Sequence, residues 1–429
     1  MTTGALLLLS TLFLGMGVFE FDGLYSIIAL TWMTLSFVAL LLAALGYLGK
    51  LRIPVEPPAE WMLVLALLFC VYIANFKLPA SFVDPAGAFT YAFFRLQTAV
   101  AASLVLVFFL VPRSPRTFKY LLLIAAVFVA VILRVWLLSA SPTPQIDVFS
   151  ASTQAAQLLA EGTSPYLPHE DGSIAFHYPP LNAYLHALSY WLVDDIRAIY
   201  IIAELTFALF LFLAAKRSMD SVRAGLLACL FLFHPRSLFT LDLAWTEPPI
   251  LAFLGLALFL FARGRRNAAA AAYGLMLSLK QYLVFFLLHW WLLDRSWKRF
   301  AILVAATVAT VVPFFFIDTS YLIEHGFLQT VLRGGVRSDS LTFVTFLSAT
   351  AGITLPRMTS VIVGLIFSFW TFRAFRQYPP LPAFLFSSAL TTFALFLFGA
   401  QAFANYYYVV SGLVLLLIAY HTEEGMARE

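Results

Sequence analysis

The sequence predicts an all-α, polytopic membrane protein, and three observations carry that expectation. Of its 429 residues 62% are hydrophobic and only 11% are charged, against roughly 25% charged in soluble domains. Several apolar runs reach or approach the ~20 residues that a bilayer-spanning helix needs. The charges that remain fall into loops that alternate between basic and acidic along the chain, as in a protein threaded back and forth through a bilayer.

The first apolar run, 3–19, has no basic segment before it and no convincing cleavage site after it, so it reads as a first span rather than a removed signal. Spans follow at 24–47, 60–76, 87–111 and 118–138. After a long connection, 139–196, come 197–215, 222–239 and 247–263. The runs 267–280 and 281–293 are short for full crossings and read as a hairpin of half-spans. With 299–317, 357–375, 381–400 and 404–421 the set reaches about 14 transmembrane helices, both termini lying on one side.

One set of loops holds Lys50 and Arg52; Arg113, Arg116 and Lys119; Lys216, Arg217 and Arg223; Arg263, Arg265 and Arg266; Arg295, Lys298 and Arg299; and Arg373 and Arg376. By the positive-inside rule this set is cytoplasmic. The alternate loops hold the acids, among them Glu20, Asp22, Asp84, Asp147, Glu161, Glu170, Asp171, Asp194, Asp195, Asp242, Glu247, Asp318 and Glu324. The alternation survives only if 180–193 and 340–354 do not cross, so both are expected as interfacial helices on the outer surface. The connection 139–196 then lies outside. Loops of this length are usually functional or disordered, and its apolar and aromatic content favours a structured cap. Within it, 147–160 can form an amphipathic helix with Val148, Ala151, Ala155 and Leu158 on one side.

Composition also excludes functions. No basic-side loop is long enough for a nucleotide-binding domain and no Walker A pattern occurs, so the activity does not run on the chain's own ATP hydrolysis. Cys70 and Cys229 lie in apolar runs and read as core residues rather than a disulfide or metal pair. The formal charge of +4 is spread along helix ends, and no nucleic-acid partner is expected.

Chemistry-bearing residues gather on the acidic side. Asp147 follows a span at the membrane's outer edge, where a carboxylate can take a proton from a hydroxyl nucleophile; a solvated loop acid or a helix cap is the plainer reading. Lys280, in "SLKQY", lies between two half-spans at membrane depth, a costly place for a charge, unless it snorkels to the interface. Arg333 and Arg337, in "RGGVR", pair guanidinium groups with glycine backbone, which suits a phosphate. The outer turns add His177 and Tyr178, His234 and Arg236, Trp245 and Glu247, and Asn405 and Tyr406. Such residues are each commonly interfacial anchors. Their convergence on one face around one long loop suits a site for a membrane-bound phosphorylated substrate. A transporter or lipid-linked-sugar flippase is the competing class, but carriers usually bind at the midplane and between internal repeats, and no repeat is visible. A non-catalytic scaffold subunit is the third reading.

The order of motifs is an x-x-D after a span, "GTSPY", "YPPL", a span ending in KR, "HP", "WTEPP", "SLKQY", a "EHGFLQTVLRGGVRS" loop and "NYYY". It resembles the GT-C integral membrane glycosyltransferases that use polyprenyl-phosphate sugars. Among these are the glycosylphosphatidylinositol mannosyltransferase and the mycobacterial polyprenol-phosphate-mannose-dependent mannosyltransferases. The resemblance covers about residues 118 to 420 and leaves 1–111 as a four-helix extension without an assigned role, beside a catalytic membrane domain 112–429. It implies a GT-C-like fold and transfer of a sugar, mannose being expected, from a polyprenyl-phosphate donor to a glycolipid or glycan acceptor, with inversion. It implies Asp147 as base and Lys280, Arg333, Arg337, His234 and Arg236 as cations for the donor phosphate. Glu247, Trp245, His177, Tyr178, Asn405 and Tyr406 would bind substrate. The implied location is a bacterial plasma membrane, with the site on its exoplasmic face. Where the eukaryotic relative has two acids one residue apart, this chain has Gln145-Ile146-Asp147, which argues against a metal bridged by two carboxylates. No cofactor is expected.

Overall fold

Apolar composition combined with frequent capping signals gives a bundle of helices. The computed structural model describes residues 1–21, 23–76, 88–111, 113–168, 175–235, 237–328 and 337–421. Five helices come first: α1 (Thr3–Glu20), α2 (Ile27–Tyr47), α3 (Glu60–Phe76), α4 (Ala88–Leu110) and α5 (Arg116–Ala140). The long connection carries α6 (Asp147–Ala160) and α7 (Pro180–Val193). Then come α8 (Ala198–Ala215), α9 (Ser221–Leu232), α10 (Ser237–Asp242), α11 (Glu247–Ala262) and α12 (Arg266–Leu277). A 3-10 segment, Gln281–Phe285, runs into α13 (Phe286–Leu293), followed by α14 (Trp297–Ile317) and a π-helical stretch Leu322–Leu328. The chain closes with α15 (Phe343–Ala351), α16 (Met358–Phe375), α17 (Pro380–Leu397) and α18 (Ala404–Tyr420).

Local chemistry explains the starts and stops. Side chains of Thr2, Ser26, Asp220, Ser296 and Thr342 accept from the first free amides of α1, α2, α9, α14 and α15, the ordinary N-cap arrangement. Proline opens α7, α11 and α17, where its missing N–H costs nothing. The expected span 222–239 is broken between α9 and α10, at His234-Pro235, because proline disfavours a helical conformation in the residue before it.

Among the described residues eight helices are long and apolar enough to cross a membrane, and five shorter apolar helices accompany them. The protein is therefore an integral, polytopic membrane protein. Among the described residues no β-strand forms; a lone bridge joins Leu24 to Ser340. The helix α17 is central, with 94% of its apolar window buried, whereas α14, at 17%, is peripheral. One continuous core takes in residues from α1 to α18, so the first four helices share it; α1 lies along α2 and α18.

The two sets of loops are each knit together. On the basic side Lys119 pairs with Glu60 at 2.5 Å, the Tyr378 hydroxyl donates to Leu48 O, Arg295 to Arg376 O and Ser218 to Ala419 O. On the acidic side Tyr25 N donates to Asp339 O and Leu341 N to Ala402 O, and Arg197 reaches Leu138 O. These contacts sort the loops as the charge alternation does. Both expected interfacial segments are short helices, α7 and α15, and the exposed Leu188, Trp191, Leu192 and Val193 on α7 give it an amphipathic surface.

Candidate functional site

The cap is built first. Ile146 adopts an extended conformation and α6 starts after it, placing Asp147 in the first turn. Asp147 is exposed, and its Oδ1 accepts from the Val148 amide at 2.8 Å. It borders a cavity of about 530 Å³ together with Pro144, Gln145, Ser150 and Gln154. Ala151 and Ala155 are buried, while Val148 and Leu158 are half-buried. A small separate core of Ala155, Tyr166, Phe176, Tyr178, Ala183, Phe314 and Leu322 lies under this helix. The "GTSPY" turn supplies Tyr166, whose hydroxyl donates to Tyr178 O at 2.9 Å, and Gly162 takes φ 77 there, a conformation glycine adopts freely.

Beside the cap lies a buried charge cluster. The helix α12 stops at Leu277, and Lys280 is extended, at the start of the 3-10 segment. The Lys280 ammonium donates to Glu247 Oε1 at 2.8 Å and Thr246 Oγ1 at 2.9 Å. Asn405 Nδ2 donates to the same Oε1 at 2.9 Å. The ammonium also lies 4.5 Å from the Tyr178 ring centre and 5.6 Å from that of Tyr406. Lys280 and Asn405 are each 5% exposed and Glu247 is fully buried. Buried charges persist when paired and hydrogen-bonded. Expected as a phosphate cation, Lys280 is found with its charge already matched by Glu247. The turn that delivers Thr246 and Glu247 holds Ala244 at φ 53, a strained conformation for alanine and one found at functional sites. The cap is tied to this cluster by Asn182 of α7, which donates to Leu279 O at 2.5 Å. Gln281 adds bonds to His177 O and Gly326 O at 2.8 and 3.0 Å.

His177 and Tyr178 join the two halves, their rings 4.4 Å apart. Burial lowers the His177 pKa and is the largest influence. The hydrogen bond to Ala175 O opposes it, Lys280 lowers it further, Asp147 raises it and His325 lowers it. Tyr178 is pushed well above the ordinary phenol range by burial, then by Glu247, Tyr406, Tyr200 and Asp147. The charge of Asp147 is thus felt at both residues that flank Lys280.

Arg337 is a described cation near the cluster, its side chain 54% exposed. It forks onto Asp339 at 3.0 and 2.6 Å and lies 4.6 Å from the Phe403 ring centre. The bond to Asp339 raises its pKa most, and Asp147 and Tyr406 add to that. Arg333 and Arg236 lie outside the described residues. His234 is buried, its Nε2 3.3 Å from Thr11 O of α1. Trp245, half-buried, meets Phe239 edge-on at 5.2 Å. The structure therefore gathers Lys280, Glu247, Asn405, Tyr178 and Tyr406 in one cluster, sets His177 beside it, and brings Asp147 and Arg337 within electrostatic reach. His234 points instead to α1. Among the described residues no three His, Cys, Asp or Glu side chains gather as metal ligands would.

Sequence reasoning passed over several residues here: Thr246, Asn182, Gln281, Tyr282 and Asp339. It also passed over a buried network, Arg134 with Glu204 at 2.6 Å, the Tyr408 hydroxyl on Glu204 and Arg134 on Leu232 O at 2.9 Å. The signal for that network was legible, since Arg134 and Glu204 are charges inside apolar runs, which calls for a partner.

The model of glycosyltransferase family 87 matches residues 176–399, just over half of the chain. The match takes in His177, Tyr178, His234, Trp245, Glu247, Lys280 and Arg337; Asp147 lies before it, and Asn405 and Tyr406 after it. Among curated proteins none matches the chain. A polytopic bundle with a polar cluster under a helical cap agrees with that family assignment: the chain belongs to glycosyltransferase family 87 and is a membrane glycosyltransferase.

Proposed function

We propose that this glycosyltransferase moves a sugar, mannose being the expected one, from a polyprenyl-phosphate donor to a glycolipid or glycan acceptor, inverting the anomeric centre. The reading places the site on the exoplasmic face of a bacterial plasma membrane, following the basic loops as the cytoplasmic set. The observation that carries it is Asp147: an exposed carboxylate at a cavity, at the first turn of a cap helix, electrostatically linked to Arg337.

The Asp147 carboxylate takes the proton of the acceptor hydroxyl, whose oxygen forms a bond to the anomeric carbon as the bond from that carbon to the phosphate oxygen breaks. The electron pair leaves with the polyprenyl phosphate, and a guanidinium stabilises the growing charge. Arg337 fills that role by exchanging Asp339 for phosphate in the same forked geometry, with Arg333 and Arg236 as further cations. His177, neutral at pH 7, and Tyr178, Trp245, Glu247, Asn405 and Tyr406 line the path of the sugar. The tyrosine rings offer faces to the pyranose, as aromatic surfaces do for apolar ligand faces.

The test is Asp147→Asn in protein reconstituted with polyprenyl-phosphate mannose and a membrane lipid extract. The amide keeps the shape but takes no proton, so transfer should fall by ~10²–10⁴-fold with folding intact. Asp147→Glu should be crippled too, because displacing a base by about 1 Å is expensive. Full activity in well-folded Asp147→Asn would end the assignment.

A further inference from the structure

The hydrogen-bond ledger of the Lys280 cluster does not balance. Glu247 Oε1 receives two donors, but Glu247 Oε2 is buried with none; Asn405 gives its amide to Glu247 while its Oδ1 is buried with none. The Tyr282 hydroxyl is a third buried group without a partner. Tyr282 stands beside the cluster, its ring 5.6 Å from Tyr406 and within the field of Glu247. A buried polar group left unsatisfied is costly, and native structures rarely leave one without a reason.

Two obligate acceptors and one hydroxyl state what is missing. With Lys280 and Glu247 already paired, neither a further anion nor a further cation meets an unmatched charge. The cluster carries no net charge, its Lys and Glu cancelling, and the aromatic faces of Tyr178 and Tyr406 flank it. A neutral ligand carrying hydroxyls and a flat apolar face is the chemical match for these groups.

We infer that Glu247 Oε2, Asn405 Oδ1 and the Tyr282 hydroxyl read hydroxyl groups of the transferred pyranose, with Lys280 fixing the carboxylate in place rather than holding the phosphate. The cluster thereby determines which sugar is accepted. This rests on the glycosyl transfer proposed above. A site built to bond a hydroxyl discriminates strongly against an analogue without it, because its own buried groups then stay unpaired. Glu247 and Asn405 are specificity-determining residues in this reading, and Lys280 is a positioning residue.

The test uses the full chain in lipid nanodiscs. Polyprenyl-phosphate mannose, glucose and galactose are compared first, and the best donor is then offered as its 2-, 3-, 4- and 6-deoxy forms. For the wild type, one or two deoxygenations should lower kcat/KM by about 10-fold or more. In Asn405→Leu, which spares the ion pair, one of those penalties should largely vanish. Tyr282→Phe, which removes a single hydroxyl and leaves the ring, should erase a penalty as well and guards against misfolding of the first variant. Transfer by the wild type with deoxy penalties unchanged in both variants overturns this inference alone and assigns the bare oxygens to buried water. No transfer from any of the three donors overturns the proposed reaction, and the inference with it.

Discussion

His177 carries opposing influences on one imidazole. Burial holds its pKa below the ordinary 6.5, and Asp147 and Lys280 push it in opposite directions. Removing the anion in Asp147→Asn should lower it further, and removing the cation in Lys280→Met should raise it. Histidine NMR titration, with His177→Gln to assign the resonance, reads both signs; equal shifts in one direction would separate His177 from one of the two. The linkage follows from the depressed value: this group's contribution to stability is fully present above pH 6.5 and is lost as pH falls through its folded pKa. Residue types alone marked Lys280, Glu247, Asn405 and Tyr406 as candidates. Their pairing was not legible, since Asn405 and Glu247 are 158 positions apart and neither side chain signals which of its atoms the fold will leave bare.

Between elements, the close crossing of α12 and α14 supports the Lys280 cluster. A Cβ at Gly274 would run into the backbone carbonyl of Leu303, and the Gly274 carbonyl accepts from Thr307 of α14 at 2.9 Å. Small residues let membrane helices approach like this. Gly274→Leu should therefore force the helices apart at a cost of about 1–3 kcal/mol, read as a lower Tm in detergent and a parallel loss of transfer; an unchanged Tm would show that the crossing has slack. Elements of this kind were largely visible beforehand. The apolar face of 147–160 marked α6, whereas the caps Thr2, Ser26, Asp220, Ser296 and Thr342 were not read from the sequence. The break at His234-Pro235 was passed over because an apolar run continues through it. The π-helical stretch Leu322–Leu328 has no periodicity that distinguishes it from an α-helix.

For the whole molecule, the alternation of charge gives an orientation that labelling can check. Cys70 and Cys229 are both buried, so introduced cysteines will dominate. Glu161→Cys, exposed on the cap, should react with an impermeant maleimide in intact cells, and Asn267→Cys, exposed at the start of α12, only after permeabilisation. The reverse pattern would invert the orientation. Loop charge was informative because each loop must answer to one side of a bilayer. The buried network of Arg134 and Glu204 shows the limit: each charge was visible, but the partner lies 70 positions away and only the packed bundle brings them together.

The break after α12 has a further consequence. That helix has 12 residues and so rises about 18 Å from the basic side, well short of the ~30 Å hydrocarbon core. The Lys280 cluster therefore falls within the depth of that core, and Asn182 of the cap grips the chain beside it. An activated sugar faces two fates, capture by an acceptor or hydrolysis by bulk water. Under the proposed transfer, a buried cluster pinned beneath α7 keeps bulk water from the second fate. In that reading, the same interruption that places a charge inside the bundle also guards the proposed donor against being wasted as free sugar.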